Sequence, residues 1–192
     1  MAAQFERLDS LQPLIDVKVV VGSQLQLDGL ANPYDPPADQ IVTLEAGAED
    51  HLAALRTLVE KNQTVHLYAT YTLIRGSIES SARAVWLLTG GTRDKRVFRS
   101  LQFILHNRDI VEPLAKAWNL TNAEGYKSMK RRLLALQEAL PRVRSKDLSS
   151  KLTITAMLDE ADRQLKKKSD WSGRQVWQAC SGAAHGNKTT MG

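Results

Sequence analysis

Residues 64–88 read TVHLYATYTLIRGSIESSARAVWLL, and this stretch decides the fold. Its apolar and small residues cover most sides of a helix, which is typical of a helix that neighbouring helices pack against. Gly90 and Gly91 follow it and suit the left-handed backbone at which many helices end. We therefore predict a helix over 64–88 at the centre of a helical bundle.

Apolar residues recur at steps of three and four from Thr43 onwards, which predicts further helices. Asn62 is expected to interrupt the helix that begins at Thr43, Thr92 to cap the helix after Gly91, and Pro113 to kink that helix. No strand alternation or internal repeat follows residue 43. The predicted fold class is all-α, a helical bundle of about five to seven helices. The helices besides 64–88 are expected from 43 towards 62 and at 92–118, 123–140 (capped by Thr121 or Asn122), 153–165 and 171–184.

The N-terminal 42 residues have a different character. Segment 5–27 mixes helical spacing with a run of valines, so that helix and strand compete, and helix is favoured. Segment 28–40 carries Pro33, Pro36 and Pro37 and is predicted to be a loop. We therefore divide the chain into an irregular N-terminal extension, 1–42, and a helical bundle domain, 43–192.

The composition is that of an ordinary globular protein, with 43% hydrophobic and 24% charged residues in a chain of 192. No apolar run reaches the roughly 18 to 20 residues that span a bilayer, and the first residues lack the basic and apolar regions of a leader. Cys180 is the only cysteine, and no Cys/His cluster has the spacing of a zinc site. We predict a cytoplasmic protein with no membrane segment, no structural metal and no cofactor.

The net charge of +5 favours an anionic partner such as nucleic acid. Basic residues cluster at 127–132, 142–146 and 166–168, but only Tyr126 and Trp171 are aromatic neighbours of these clusters. Stacking platforms for single strands need more interleaved aromatic residues. Solvated helix faces explain the same clusters, so both interpretations stay open.

Arg75, Glu79 and Arg83 are spaced four residues apart and share one face of the predicted central helix. Because apolar and small residues surround them, the ionic row is expected to be partly buried. One interpretation is a structural network that fixes the register of the helices. The other is a preorganised site for phosphate or carboxylate, because the planar fork of arginine suits such anions.

The last predicted helix carries a second polar face, formed by Arg174, Trp177, Ser181 and His185. An imidazole near neutral pH can act as a general acid or base, and Ser181 lies one turn away. His185 can equally pack at the helix end, where the dipole favours it. No G-x-S-x-G element precedes the pair, so a serine hydrolase is rejected.

Arg99 and His106 lie two turns apart on the helix after Gly91. An arginine followed by a histidine at this distance resembles the signature of HEPN-type helical proteins, many of which are metal-independent endoribonucleases that act as dimers. The resemblance implies that Arg99 stabilises phosphate charge and that His106 is the acid-base catalyst. A surface arginine and a half-buried histidine are the alternative.

A broader stretch resembles uncharacterised helical proteins of actinobacteria and their phages. It includes residues 71–75, Glu79, Ala84, residues 86–88, Arg96 and Arg99, and later Trp177, Ser181 and residues 184–186. The resemblance implies a shared helical fold. It also implies that Arg75, Glu79, Arg99, Ser181 and His185 could converge on one polar pocket.

The leading hypothesis is a non-enzymatic, homo-oligomeric binding module that recognises an anionic ligand or a protein partner. Its binding residues are Arg75, Glu79, Arg83, Arg174, Ser181 and His185. The rival is a HEPN-like ribonuclease with a toxin or phage-defence role, in which Arg99 and His106 are catalytic.

Overall fold

The computed structural model describes residues 19–120, 123–165 and 170–186. These residues form seven α-helices and no β-strand, so the predicted all-α fold class is confirmed. In the described ranges, no helix is both long enough and apolar enough to cross a membrane. The helices are α1 (Gln24–Ala31), α2 (Pro37–Arg56), α3 (Leu67–Leu88), α4 (Arg93–Ala117), α5 (Ala123–Glu138), α6 (Ile154–Gln164) and α7 (Gly173–Ala184), and a π-helical segment, Thr57–Lys61, follows α2.

The chain forms two compact units. The first unit contains residues 41–86, 154–165 and 170–186, and therefore most of α2 and α3 with all of α6 and α7. The second contains residues 19–40 and the described part of 87–153, with α1, α4 and α5. This grouping does not decide where a domain begins, so the division after residue 42 stays a prediction.

The core of the second unit lies between α4, α5 and the turns after α5. Val97 and Leu101 of α4 are fully buried, Leu133 of α5 is nearly so, and α1 packs on the same part of α4. Buried apolar side chains contribute about 1.5–3 kcal/mol each, which makes this cluster the main stabilising element of the unit. The complete cluster is Val97, Phe98, Leu101, Leu105, Leu133, Leu140, Val143 and Leu148.

The predicted loop 28–40 is shorter in the structure, and this prediction was wrong at both ends. Helix α1 continues to Ala31, and α2 begins at Pro37. Proline at the first position of a helix needs no N–H partner and already has a helical φ, so Pro37 begins a helix here. The part of segment 5–27 before residue 19 lies outside the described residues, as do Thr121, Asn122 and Lys166–Lys168.

The junction between α3 and α4 agrees with the prediction. The Thr92 side chain accepts a hydrogen bond from Lys95 N and caps α4, and Gly91 has a φ of +75°.

Pro113 lies inside α4, which continues through it. Proline removes the hydrogen bond to the carbonyl four residues earlier, and that residue, Asp109, is exposed, so water can satisfy the carbonyl.

In the first unit, α2 and α3 approach closely at small residues. A β-carbon on Gly47 would lie 3.6 Å from Ser80 Oγ, and one on Gly76 would lie 2.5 Å from His51 Nε2. From Gly47 to His51 the chain advances four residues along α2, while the facing residues, Ser80 and Gly76, go back four residues along α3. The two helices are therefore antiparallel there. The close approach is possible because Gly76 has no side chain.

Candidate functional site

Helix α3 brings three charged side chains together, as its spacing predicts. Glu79 accepts a hydrogen bond from Arg75 Nε on Oε1 at 2.8 Å and one from Arg83 Nη2 on Oε2 at 3.1 Å. The carboxylate therefore uses each oxygen for a different arginine. We call these three residues and the two residues described next the Glu79 cluster.

Trp177 of α7 and His185, which directly follows α7, complete the cluster. The indole Nε1 of Trp177 donates to Glu79 Oε1 at 2.8 Å, and the guanidinium of Arg75 lies 5.8 Å from the centre of the Trp177 ring. That distance is within the range of a cation–π interaction. Trp177 therefore contacts both members of the Arg75–Glu79 pair.

The start of α7 is fixed by two sets of hydrogen bonds. Ser172 and Gln175 form a reciprocal capping box. Asp162 of α6 accepts from the backbone N–H groups of Gly173 and Arg174 at 2.8 and 3.2 Å, where the helix dipole favours a negative charge. These contacts set the position from which Trp177 reaches Glu79.

His185 follows the last turn of α7 and contacts Arg75. Its Nε2 lies 3.1 Å from Arg75 Nη1. A guanidinium only donates hydrogen bonds, so Nε2 is the acceptor and the ring proton is on Nδ1 in this arrangement. A doubly protonated His185 could not keep this contact.

The electrostatic balance keeps Glu79 ionised. Burial alone would raise the pKa of Glu79, but hydrogen bonds from Trp177 and Arg75 and the charges of Arg83 and Arg75 outweigh it, and the pKa lies below its ordinary value of 4.5. Glu79 is therefore a permanent anion near neutral pH. As an anion it holds the two arginines in place by accepting their hydrogen bonds, and it carries no proton to donate.

The arginines are held but are not fully enclosed. The side chains of Arg75 and Arg83 are 29% and 32% exposed, against 17% for Glu79. Among the described residues, the Arg83 guanidinium makes no hydrogen bond other than the one to Glu79. Both guanidiniums thus keep donors that can reach a solvent-borne anion.

Two of the predicted binding residues have other surroundings. Arg174 donates from Nη1 to both carboxylate oxygens of Asp159 in α6, at 3.1 and 2.9 Å. The Ser181 hydroxyl makes no hydrogen bond within the described ranges, and its backbone oxygen accepts from His185 N. The structure therefore brings Arg75, Glu79, Arg83 and His185 together, whereas within the described ranges the side chains of Arg174 and Ser181 make no hydrogen bond to any of these four residues.

Arg99 and His106 lie in the second unit. Arg99 is 6% exposed and donates from Nη1 to Thr89 Oγ1 at 3.5 Å, while His106 is half-buried. The ribonuclease hypothesis stays a prediction.

The sequence reasoning identified Trp177 on the polar face of α7 but did not include it among the binding residues. The signal was present, because Trp177 and His185 are eight residues apart and lie on one side of a helix. No local pattern in the sequence predicts that His51 packs against Gly76, since the two residues lie on different helices.

Comparisons of the chain with protein-family models, curated proteins and solved structures find no match. The resemblances to HEPN-type proteins and to actinobacterial and phage proteins therefore stay predictions. In the part of the chain that the structure describes, no three His, Cys, Asp or Glu side chains are placed to share a metal ion.

Proposed function

We propose that the chain is a helical binding module and that the Glu79 cluster takes an anionic group, phosphate or carboxylate, of its ligand. The observation that carries the proposal is that one carboxylate holds two partly exposed arginines in fixed positions. Fixing donors before binding lowers the entropic cost of ordering them around a ligand. The unused donors of Arg75 and Arg83 are the groups that would contact the anion.

The charge of the cluster fits this role. Two arginines and one glutamate leave one net positive charge, and His185 is neutral when it accepts from Arg75. Guanidinium donors bind phosphate and carboxylate through charge-assisted hydrogen bonds. Both oxygens of Glu79 and the Nε2 atom of His185 already accept hydrogen bonds inside the cluster, so the cluster suits recognition better than catalysis.

The indole N–H of Trp177 reports on this site directly. We would titrate ¹⁵N-labelled protein with sodium phosphate and, separately, with sodium acetate to about 10 mM at constant ionic strength, a range that detects binding stronger than about 3 kcal/mol. We expect the Trp177 indole signal to shift and saturate with at least one anion. The indole signals of Trp118 and Trp171, which are exposed elsewhere, should stay in place.

Arg83→Gln tests the role of the guanidinium and Arg56→Gln is its matched control. Arg56 is also 32% exposed and also pairs with a glutamate four residues away, Glu60. We expect Arg83→Gln to weaken binding about tenfold or more, which is about 1.4 kcal/mol, and Arg56→Gln to leave it unchanged. An unmoved Trp177 signal with both anions, or an equal loss in both variants, would overturn the proposal.

A further inference from the structure

The second half of α4 and the residues directly after it expose an apolar stripe. Ile110, Leu114 and Trp118 are 61%, 50% and 64% exposed, and Val111 and Leu120 are exposed as well. The first half of the same helix is buried in the core of the second unit. One helix thus carries apolar residues both in its buried first half and on the exposed surface of its second half.

The stripe has the spacing of a helix that pairs with another helix. Asn107, Val111, Leu114 and Trp118 follow one another at steps of four, three and four, which is the spacing of the seam positions in a coiled coil. Asn107 is exposed on this line, and a single amide in such a seam often fixes the register between paired helices. The pattern therefore indicates a helical partner rather than a small ligand.

The residues beside the stripe do not oppose pairing of two identical surfaces. Ala115 and Ala117 are small and uncharged, and Arg108 is within 3.7 Å of Glu112 of the same helix. Two copies would therefore meet without bringing unpaired like charges together. A self-complementary surface of this kind is what a two-fold dimer requires.

The area is close to what a dimer needs. The exposed parts of the five residues offer roughly 350 Å² of apolar surface, at about 200 Å² for a whole tryptophan side chain and about 100 Å² for a whole aliphatic one. This is within the range of the largest patch on a typical monomer. A standard interface takes about 800 Å² from each partner, of which about 60% is apolar. The stripe therefore supplies most of that apolar share.

We propose that a second copy of this chain packs on the 107–120 stripe and forms a homodimer. Sedimentation equilibrium of the full chain between about 1 and 100 µM measures the association directly. We expect the wild-type protein to be dimeric in this range. Leu114→Glu should weaken the dimer about 100-fold or more, because it places a charge in the centre of an apolar interface.

Leu30→Glu is the matched control, because Leu30 is a helical leucine of the same unit that is 71% exposed outside the stripe. It should leave the dimer intact, and Trp118→Ala should weaken it without adding a charge. Circular dichroism shows whether each variant is folded. A wild-type chain that is monomeric at about 100 µM, or a dimer that Leu114→Glu and Leu30→Glu weaken equally, would overturn the proposal.

Discussion

The two units each contain an arginine–carboxylate group, and the two groups differ in burial and in sequence separation. In the second unit, Arg96 donates from Nε and Nη2 to the two oxygens of Asp28 at 2.6 and 3.1 Å. In the first unit, Glu79 divides its oxygens between two arginines of its own helix. The Asp28 side chain is 1% exposed and that of Glu79 is 17% exposed.

The difference shows what each group can do. The buried Asp28–Arg96 pair satisfies its own charges and joins α1 to α4 across 68 positions of the chain, which makes it a tertiary link. The Glu79 cluster keeps arginine donors partly exposed, which is what the proposed binding of an anion requires. An enclosed arginine–carboxylate group thus links helices, and a partly exposed one leaves donors that face solvent.

The largest expected effect is at the enclosed pair. Asp28→Asn should lower the free energy of unfolding by about 3–5 kcal/mol, because it leaves the Arg96 charge without its counter-charge in a mostly buried position. Urea denaturation followed by circular dichroism measures the change.

The double variant Asp28→Leu/Arg96→Met is the control for this prediction. Removing both charges should recover part of the lost stability, since apolar replacements of buried ion pairs are often neutral. A loss below about 1 kcal/mol in Asp28→Asn, the range of surface ion pairs, would show that the pair is not enclosed.

Glu79→Gln is expected to have the next largest effect. It removes the charge that both arginines contact, and hydrogen bonds to charged groups contribute about 1.5–3 kcal/mol, so the free energy of unfolding should fall by about 2 kcal/mol. Glu60→Gln changes the corresponding residue of the more exposed Arg56–Glu60 pair and should cost less than about 0.5 kcal/mol. Equal losses in the two variants would mean that the Glu79 cluster is an ordinary surface pair.

The effect of Glu79 should depend on pH. Its pKa is lowered in the folded protein, so the unfolded chain binds its proton first as the pH falls. The stabilisation is therefore complete above the ordinary value of 4.5 and is lost as the pH falls through the lower folded pKa. Unfolding measured from pH 7 to pH 3 should show the difference between wild type and Glu79→Gln shrinking only in that acidic window, and a difference that is constant with pH would contradict it.

Much of the fold could be predicted because its signals are local. The helix predicted over 64–88 is observed as Leu67–Leu88, and the Thr92 cap of α4 is confirmed. The second half of α1, from residue 28 to Ala31, was predicted to be loop because Gly29 and the residues after it have the composition of a loop. Its stability comes from distant partners, among them Asn32 Nδ2, which donates to Ser100 Oγ at 2.9 Å, and no local pattern reports such contacts.

The candidate site likewise has one part that local spacing predicts and one part that it does not. The row of Arg75, Glu79 and Arg83 follows from helical spacing, whereas the contact of Trp177 with Glu79 joins residues 98 positions apart. Spacing placed Arg174 on the face of Trp177, but Asp159 on the neighbouring helix binds it. Periodicity gives the face of a helix, and only the packing of helices decides which partner meets that face.

The smallest expected effect is for loss of the long-range hydrogen bond from Trp177 to Glu79. It can be compared with the effect of the local pairs that Glu79 forms with Arg75 and Arg83. Trp177→Phe removes the indole N–H and keeps an aromatic ring near Arg75, and Glu79 keeps its hydrogen bonds from both arginines. The free energy of unfolding should therefore fall by about 1.5 kcal/mol, the lower end for a hydrogen bond to a charged group. The hydrogen bond from Trp177 is the strongest influence that lowers the pKa of Glu79, so that pKa should rise in Trp177→Phe. A carboxyl ¹³C titration of Glu79 measures this, with Trp171→Phe as the control for an exposed tryptophan. An unchanged pKa would mean that the arginines alone hold the carboxylate and that α7 only covers it.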